Sequence, residues 1–460
     1  MLPNPYEGRI RPRNDRKIQP GDYVLYWMQQ SQRAEDNHAL EYAVALANEH
    51  QKPLVVVFGL TGNYPEANLR HYRFMLEGLA ETQETLAKRG ILLSIRPGSP
   101  PDVALKAAQN ACCLVCDRGY LRHQRSWRRQ AANRSPCPVF EVESDVVVPV
   151  QAVSDKAEYA ARTIRPRIHR HLDRFLCSVP TNEPQTGSTS LPPEGVDLSD
   201  IDRVVAQMNI DKSVAPATGF FRGGTKEAIR RFDVFLTQHL DRYAENSNQP
   251  QSDDVSGMSP YLHFGQISPL YLAMKVKKRK SADHEAVDAF LEELVVRREL
   301  AVNFVYYNDR YDRYDCLPQW AQKTLSEHRQ DKREPLYDQN TLEAAQTHDP
   351  YWNAAMKEMK HTGFMHNYMR MYWGKKILQW SRTPEEGFET TLSINNRYFL
   401  DGRDPNSFAG VAWIYGLHDR AWAERGIFGK VRYMAASGLE RKCNIRAYVE
   451  KIEDKTRNVT

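Results

Sequence analysis

No apolar run in this 460-residue chain approaches the roughly 18 residues that a transmembrane helix needs, so a membrane-spanning role is not expected. No hydrophobic stretch follows the basic N-terminal residues Arg9, Arg11, Arg13, Arg16 and Lys17 either, which argues against a secretory signal. Cysteine is scarce, at seven, and odd in number. A disulfide framework is therefore not expected, and a reducing, cytoplasmic setting is. The one C-x-x-C, Cys113 to Cys116 preceded by Cys112, lies in an apolar segment with no second pair at ligand spacing, so buried thiols and no metal are the expectation. The G-x-G-x-x-G that opens the usual dinucleotide-binding domain is missing, and no internal repeat is present.

What is present is a mildly basic chain long enough for two domains. Its 63 Lys and Arg against 58 Asp and Glu leave a net charge of +5, which permits a polyanionic partner without requiring one. Basic residues gather at Arg118, Arg122, Arg125, Arg128 and Arg129, and again at Lys275, Lys277, Lys278, Arg279 and Lys280, each readable as a solvated helix face. Short β-branched runs at 22–28, 53–60, 91–95, 112–117 and 139–142 alternate with helical segments such as 34–50 and 69–89. This alternation predicts an α/β N-terminal domain over residues 21–150, a parallel sheet with helices on both faces. A connection over 151–224 follows, including a turn-rich stretch with Pro184, Gly187, Pro192, Pro193 and Gly195. From 225 to 460 helical periodicity dominates, which predicts an all-α second domain.

Trp352, Trp373 and Trp380 fall within 29 residues, in a segment that also holds Met365, His366, Asn367 and Arg370. Trp373 and Trp380, seven apart, share a side if 365–379 is a helix; such a row either fills a core or passes electrons. Ser256-Gly257-Met258-Ser259 before an apolar helix offers amides for a phosphate, or is an ordinary turn. Glu292, Glu293 and Glu299 with Arg297 and Arg298 either pair along their helix or line a site. Asp401-Gly402-Arg403-Asp404-Pro405-Asn406 is a dense polar turn.

Taken in order, several segments resemble the photolyase and cryptochrome family, most closely its class II cyclobutane pyrimidine dimer photolyases. They are Tyr26-Trp27-Met28 with Gln32-Arg33-Ala34-Glu35-Asp36-Asn37, Ser259-Pro260-Tyr261-Leu262-His263-Phe264-Gly265-Gln266-Ile267-Ser268, Thr347-His348-Asp349-Pro350, Arg370-Met371-Tyr372-Trp373, Asp401 to Asn406, and His418-Asp419-Arg420-Ala421-Trp422. The resemblance implies FAD, active as FADH⁻, and light-driven electron donation to a cyclobutane pyrimidine dimer flipped out of DNA. By the same resemblance Tyr243, Ser256, Gly257, Met258, Ser259 and Arg298 would hold the FAD diphosphate and ribityl region. Arg370 and Asp401 would form an ion pair beside the flavin ring, and Asn395 would lie near flavin N5.

For the substrate, the resemblance makes Glu293 a protonated donor to the dimer carbonyls and Trp413 a stacking wall. Asn367, Met371 and Trp422 would add contacts. Trp373, Trp352 and Trp380 would be the proximal, intermediate and distal members of an electron relay. Two positions depart from the pattern: Arg297 stands where relatives carry a second clamping tryptophan, and Ser247 replaces a common arginine. An antenna chromophore, 8-hydroxydeazaflavin or folate, is left open. No protein partner is implied and a monomer is expected. A (6-4) photolyase would want a second pocket histidine where Met371 stands. A cryptochrome, a blue-light signalling protein, would be expected to carry a long C-terminal extension, against 38 residues after Trp422.

Overall fold

The computed structural model describes residues 4–192, 194–279 and 283–457, so Pro193 and Lys280 lie outside the described residues. Six strands, β1 (Ile10–Pro12), β2 (Tyr23–Trp27), β3 (Leu54–Leu60), β4 (Leu92–Pro97), β5 (Ala111–Asp117) and β6 (Val139–Val142), form one sheet in the order β1-β6-β5-β2-β3-β4. The last five run parallel, joined by helices α1 (His38–Glu49), α2 (Leu69–Lys88), α3 (Pro100–Ala108) and α4 (Arg122–Arg134). Every residue of β3 and β5 is buried, which is why these strands read as continuous apolar runs and not as alternation. Val24, Tyr26, Val56 and Phe58 pack under α1 and α2, whereas Leu25, Trp27, Val55 and Val57 meet α3 and α4 on the other face. Cys112, Cys113 and Cys116 are buried side chains of β5.

The sequence pattern missed β1. Three residues, Ile10, Arg11 and Pro12, are too short to show a period, and they pair antiparallel with Val142, Glu141 and Phe140, placing an edge strand ahead of the 21–150 span. The first arginine cluster is largely neutralised within the fold. Arg118 and Arg128 are buried against Glu141 and Glu143, while Arg122 and Arg125 pair with Asp312 and Asp309 of the helical region.

After β6 the chain runs through α5 (Ala161–Phe175) and back along the outer edge of β4. There Ser188 N donates to Gly90 O at 2.8 Å and Val196 N to Ile95 O at 2.7 Å, so the turn-rich stretch covers a sheet edge that would otherwise stand open. Arg33 and Asn37 also have structural work. Arg33 pairs with buried Asp145 at 2.7 Å, and Asn37 caps α1 by accepting from Ala39 N and Leu40 N.

The rest is helical: α6 (Thr225–Gln238), α7 (Ser259–His263), α8 (Pro269–Lys277), α9 (His284–Leu291), α10 (Arg298–Tyr307), α11 (Pro350–Thr362), α12 (Asn367–Trp380), α13 (Pro384–Tyr398), α14 (Pro405–Ile414) and α15 (Ile445–Thr456) are its main elements. Two of the conspicuous motifs are helix starts. Asp349 caps α11 with Pro350 in the first turn, and Asp404 caps α14 with Pro405 in the same place. Between α9 and α10 the helix continues as a π turn over Glu292–Arg297, where Arg298 N donates to Glu293 O. Among the described residues no helix is long and apolar enough to cross a membrane.

Candidate functional site

One cavity of about 490 Å³ opens in the helical region, walled by the π turn and α10, the first turns of α12, the C-terminal half of α13, the 399–404 turn, α14 and the 255–259 loop. The i→i+5 bonding of the π turn brings residues five apart onto one face, so Glu293 and Arg298 both line the cavity from a single helix. Arg298 donates to Asp145 O at 2.6 Å, which fixes its stem toward the sheet. Glu299, one residue on, receives Val147 N at 2.5 Å and Val148 N at 3.2 Å, and burial pushes its carboxyl up to about 8. These glutamates do not simply pair with Arg297 and Arg298 along the helix. Glu292 takes Arg297 five residues on, together with Arg165 of α5, Glu299 holds the backbone of Val147 and Val148, and Glu293 is left facing the cavity.

Glu293 is open to the cavity but enclosed by its walls, and that desolvation raises its carboxyl above the usual glutamate value; Arg297 opposes the shift only in part. Across the cavity, Arg370 Nη2 bonds both oxygens of Asp401, at 3.1 and 3.0 Å. The guanidinium also lies 3.9 Å from the centre of the Phe399 ring, and Arg370 Nε donates to Met365 O at 3.1 Å. The cation is thus held by a carboxylate, an aromatic face and a carbonyl at the cavity wall. Asn395 Nδ2 donates to Asn396 Oδ1 at 2.9 Å and Ser407 Oγ at 2.6 Å, which leaves its carbonyl oxygen as the group available to a ligand. His418 Nδ1 donates to Tyr159 O at 2.8 Å, and burial brings this imidazole down to about 4, so it lines the cavity uncharged.

The 255–259 loop owes its position to Asp254. Although burial works against ionisation, hydrogen bonds from Arg242, His239 and Asn246 hold this carboxylate down at about 2, and the loop folds over it. Gly257 adopts φ +64° there, a left-handed turn that glycine enters without a Cβ penalty.

The predicted helix around the tryptophans is α12, with His366 as its N-cap accepting from Tyr368 N. All three rings are buried: Trp352 is 0%, Trp373 1% and Trp380 1% exposed. Trp373 lines the cavity, Trp352 Nε1 donates to Trp373 O at 2.9 Å, and the Trp352 and Trp380 rings meet edge to face at 5.6 Å. Outside Trp380 lie Tyr337 and the exposed His348, each with its ring centre 5.3 Å from that of Trp380. The order from cavity to surface is therefore Trp373, Trp352, Trp380.

A DNA photolyase family model matches residues 24–185. The deoxyribodipyrimidine photo-lyase of Methanothermobacter thermautotrophicus is 51% identical over 432 residues, which span 94% of this chain and 95% of that protein. The chain belongs to the DNA photolyase family. The deoxyribodipyrimidine photo-lyase of Potorous tridactylus is 40% identical over 433 residues, 93% of this chain and 81% of that one. Two solved structures share the fold. A class III photolyase from Agrobacterium tumefaciens superposes with a TM-score of 0.72 at 16% identity, covering 95% of this chain and 88% of that one. A Synechocystis cryptochrome does so with 0.73 at 17%, covering 95% and 89%.

In this photolyase-family chain the cavity brings together Tyr243, Ser256, Gly257, Met258, Ser259, Glu293, Arg297, Arg298, Asn367, Arg370, Met371, Trp373, Asn395, Asp401 and Trp413. Trp352 and Trp380 stand behind the wall, Trp352 in contact with Trp373 and Trp380 with Trp352. Trp422 is not brought into the cavity. Past α14 the chain turns at Gly416 (φ +110°) and His418 (φ +58°) and carries Trp422 onto an outer loop, 40% exposed, with its indole bonded to Asp419. Arg297 does reach the cavity, but its Nε is held by Glu292 at 3.1 Å. Phe290, Phe364 and Phe399 line the photolyase cavity and were missed by the sequence reading, because a phenylalanine in a helix or turn carries no chemical signature apart from its neighbours.

Proposed function

We propose that this chain is a class II cyclobutane pyrimidine dimer photolyase, repairing DNA under blue light with FAD in the cavity described above. The observation that carries the reading is one cavity uniting the Arg370–Asp401 pair, the protonation-prone Glu293 and the inner end of a buried tryptophan row, in a chain 51% identical to a deoxyribodipyrimidine photo-lyase. The residues present fit the cofactor. A cation is already paired and stacked at the wall, hydroxyls and amides of 256–259 are free of helical bonding, and Asn395 is fixed as an acceptor. FAD, when bound and reduced, supplies a photoexcited electron that splits the dimer's cyclobutane bonds and then returns, so no net oxidation results.

Arg370 compensates negative charge on the cofactor, and Asp401 keeps Arg370 oriented when no such charge is there. Tyr243, Ser256, Ser259 and Arg298 hold the diphosphate side. Asn395, with its nitrogen bonded twice, serves as an acceptor near the flavin ring and does not alternate between roles. The protonated Glu293 carboxyl donates a hydrogen bond to the dimer's carbonyl oxygen, where negative charge develops, and keeps its proton. Trp413 and Met371 contact the flipped bases, with Asn367 at the entrance, while Trp422 contacts DNA outside the cavity. Trp380, Trp352 and Trp373 pass electrons inward to reactivate oxidised cofactor. Residues 21–150 and 225–460 act as antenna-type and catalytic domains joined by 151–224, in a cytoplasmic monomer. Any 8-hydroxydeazaflavin or folate antenna would sit at the sheet's switch point, near Gln29, Gln30 and Tyr64. The cavity there is about 50 Å³ and must widen for either.

The deciding assay is blue-light repair of an oligonucleotide bearing a defined thymine dimer, run beside one bearing a (6-4) product. Repair of the first alone is expected. Repair of neither, with FAD bound, would leave a signalling flavoprotein. Glu293 adds a pH test. Because its folded pKa is raised, the carboxyl keeps its proton below that value and loses the donor as pH rises through it. Repair yield of pre-reduced enzyme should therefore fall on the alkaline side of the ordinary glutamate range. Glu293→Gln, a donor at every pH, should flatten the profile, and Glu293→Leu should lower yield about tenfold throughout. A parent profile that rises across this window would remove Glu293 from its role.

A further inference from the structure

Helix α5 carries Arg162, Arg165, Arg167, Arg170 and Arg174 against one acidic residue, Asp173. Its apolar face, Ala161, Ile164, Ile168 and Phe175, is buried in the protein core, so a membrane surface, which would need that face, does not fit. Arg167 and Arg174 are paired with Glu158 and Glu7. Arg162 and Arg170 are exposed and have no ion-pair partner among the described residues, in contrast to the α4 arginines, most of which the fold neutralises.

The helix starts at the cavity rim. Arg165 bonds Glu292 at 2.7 and 2.9 Å, and the same carboxylate receives Arg297 from the cavity wall at 3.1 Å. Just before the helix, Tyr159 stands 49% exposed, anchored by His418 on its carbonyl at 2.8 Å and by its own hydroxyl on Asp419 O at 3.5 Å. At the far end Lys277 of α8 comes within 3.7 Å of Asp173, so a second basic run joins the first.

We propose that the outer face of α5, from Tyr159 at the rim through Arg162, Arg165 and Arg170, docks the duplex arm flanking the flipped-out dimer. This rests on the repair reading above. Eight residues of helix separate Arg162 and Arg170 by about 12 Å. That span matches three to four base steps at about 3.4 Å each, so the two guanidiniums meet phosphates of one strand. Tyr159, exposed and tied through its carbonyl to His418 of the cavity wall, stacks where the duplex is interrupted by the extruded bases.

The test is dark equilibrium binding of the flavin-loaded protein to a dimer-containing duplex across a salt series, beside photorepair of a free thymine-dimer dinucleotide. The double variant Arg162→Gln/Arg170→Gln should reduce the salt slope of duplex binding by about 2, since each phosphate no longer neutralised removes about 0.9. Tyr159→Ala should weaken duplex binding about tenfold with its slope unchanged. Both variants should repair the dinucleotide as the parent does. An unchanged slope in a natively folded double variant overturns the proposal and makes α5 a solvated face. Failure of the parent to repair the dinucleotide would strike the repair reading separately, since the dark slope decides the surface by itself.

Discussion

Asp401→Ala is expected to emerge from purification largely stripped of flavin. Arg370 has 21% of its side chain exposed and Asp401 9%, so the pair is mostly out of water, and removing the carboxylate leaves a guanidinium facing a cavity with the Phe399 and Phe364 rings and the Met365 carbonyl but no anion. Breaking such a pair from one side typically costs about 3–5 kcal/mol. Partial exposure places this case at the lower end, a cost in protein stability, and the loss of retained flavin comes from the misplaced cation. The stranded cation would be drawn out of place, so the loss combines misorientation with missing charge balance. Asp401→Asn keeps an acceptor and should lose less. Flavin absorbance per protein and thermal melting with and without added FAD read the outcome. Full flavin content in Asp401→Ala would mean that Arg370 is positioned by its aromatic and carbonyl contacts alone.

Trp373→Phe should nearly abolish recovery of oxidised enzyme under blue light with an external reductant, while the same protein reduced chemically in the dark repairs normally. Trp373 is the only member of the buried row that lines the cavity, and phenylalanine fills much of its volume without being oxidisable by the same route. At least a tenfold slowing, about 1.4 kcal/mol in barrier, is expected, and complete loss if no other aromatic substitutes. Trp380→Phe should slow the same process while sparing repair. Equal loss of dark-reduced repair and photoreactivation in either variant would turn the row back into core filling.

The sequence made the parallel sheet legible because both of its faces are covered, and β3 and β5 have no solvent side to interrupt their apolar runs. It hid β1, whose three residues are too few for a period. The cavity was legible through charged and hydroxylated residues in recognisable order, and these converge on one space though they come from 243 to 413. What stayed hidden depended on local geometry. Trp422 shares a motif with His418, yet the chain leaves the cavity wall after the left-handed turn at His418 and carries Trp422 onto an outer loop. The α5 arginines were not singled out in the sequence, and only the fold shows which positive charges are already neutralised.

The π turn has a consequence for which residues share a face. Such a turn amounts to one residue inserted into an α-helix. If 292–297 relaxed to ordinary α-helix with its length kept, five steps of about 100° would turn Arg298 to about 140° from Glu293. Hydrophobic pattern and composition would hardly change, yet one helix could no longer present both residues to the same cavity. In this stretch the pitch of the helix is itself a functional quantity, as exacting as the identity of any side chain it carries.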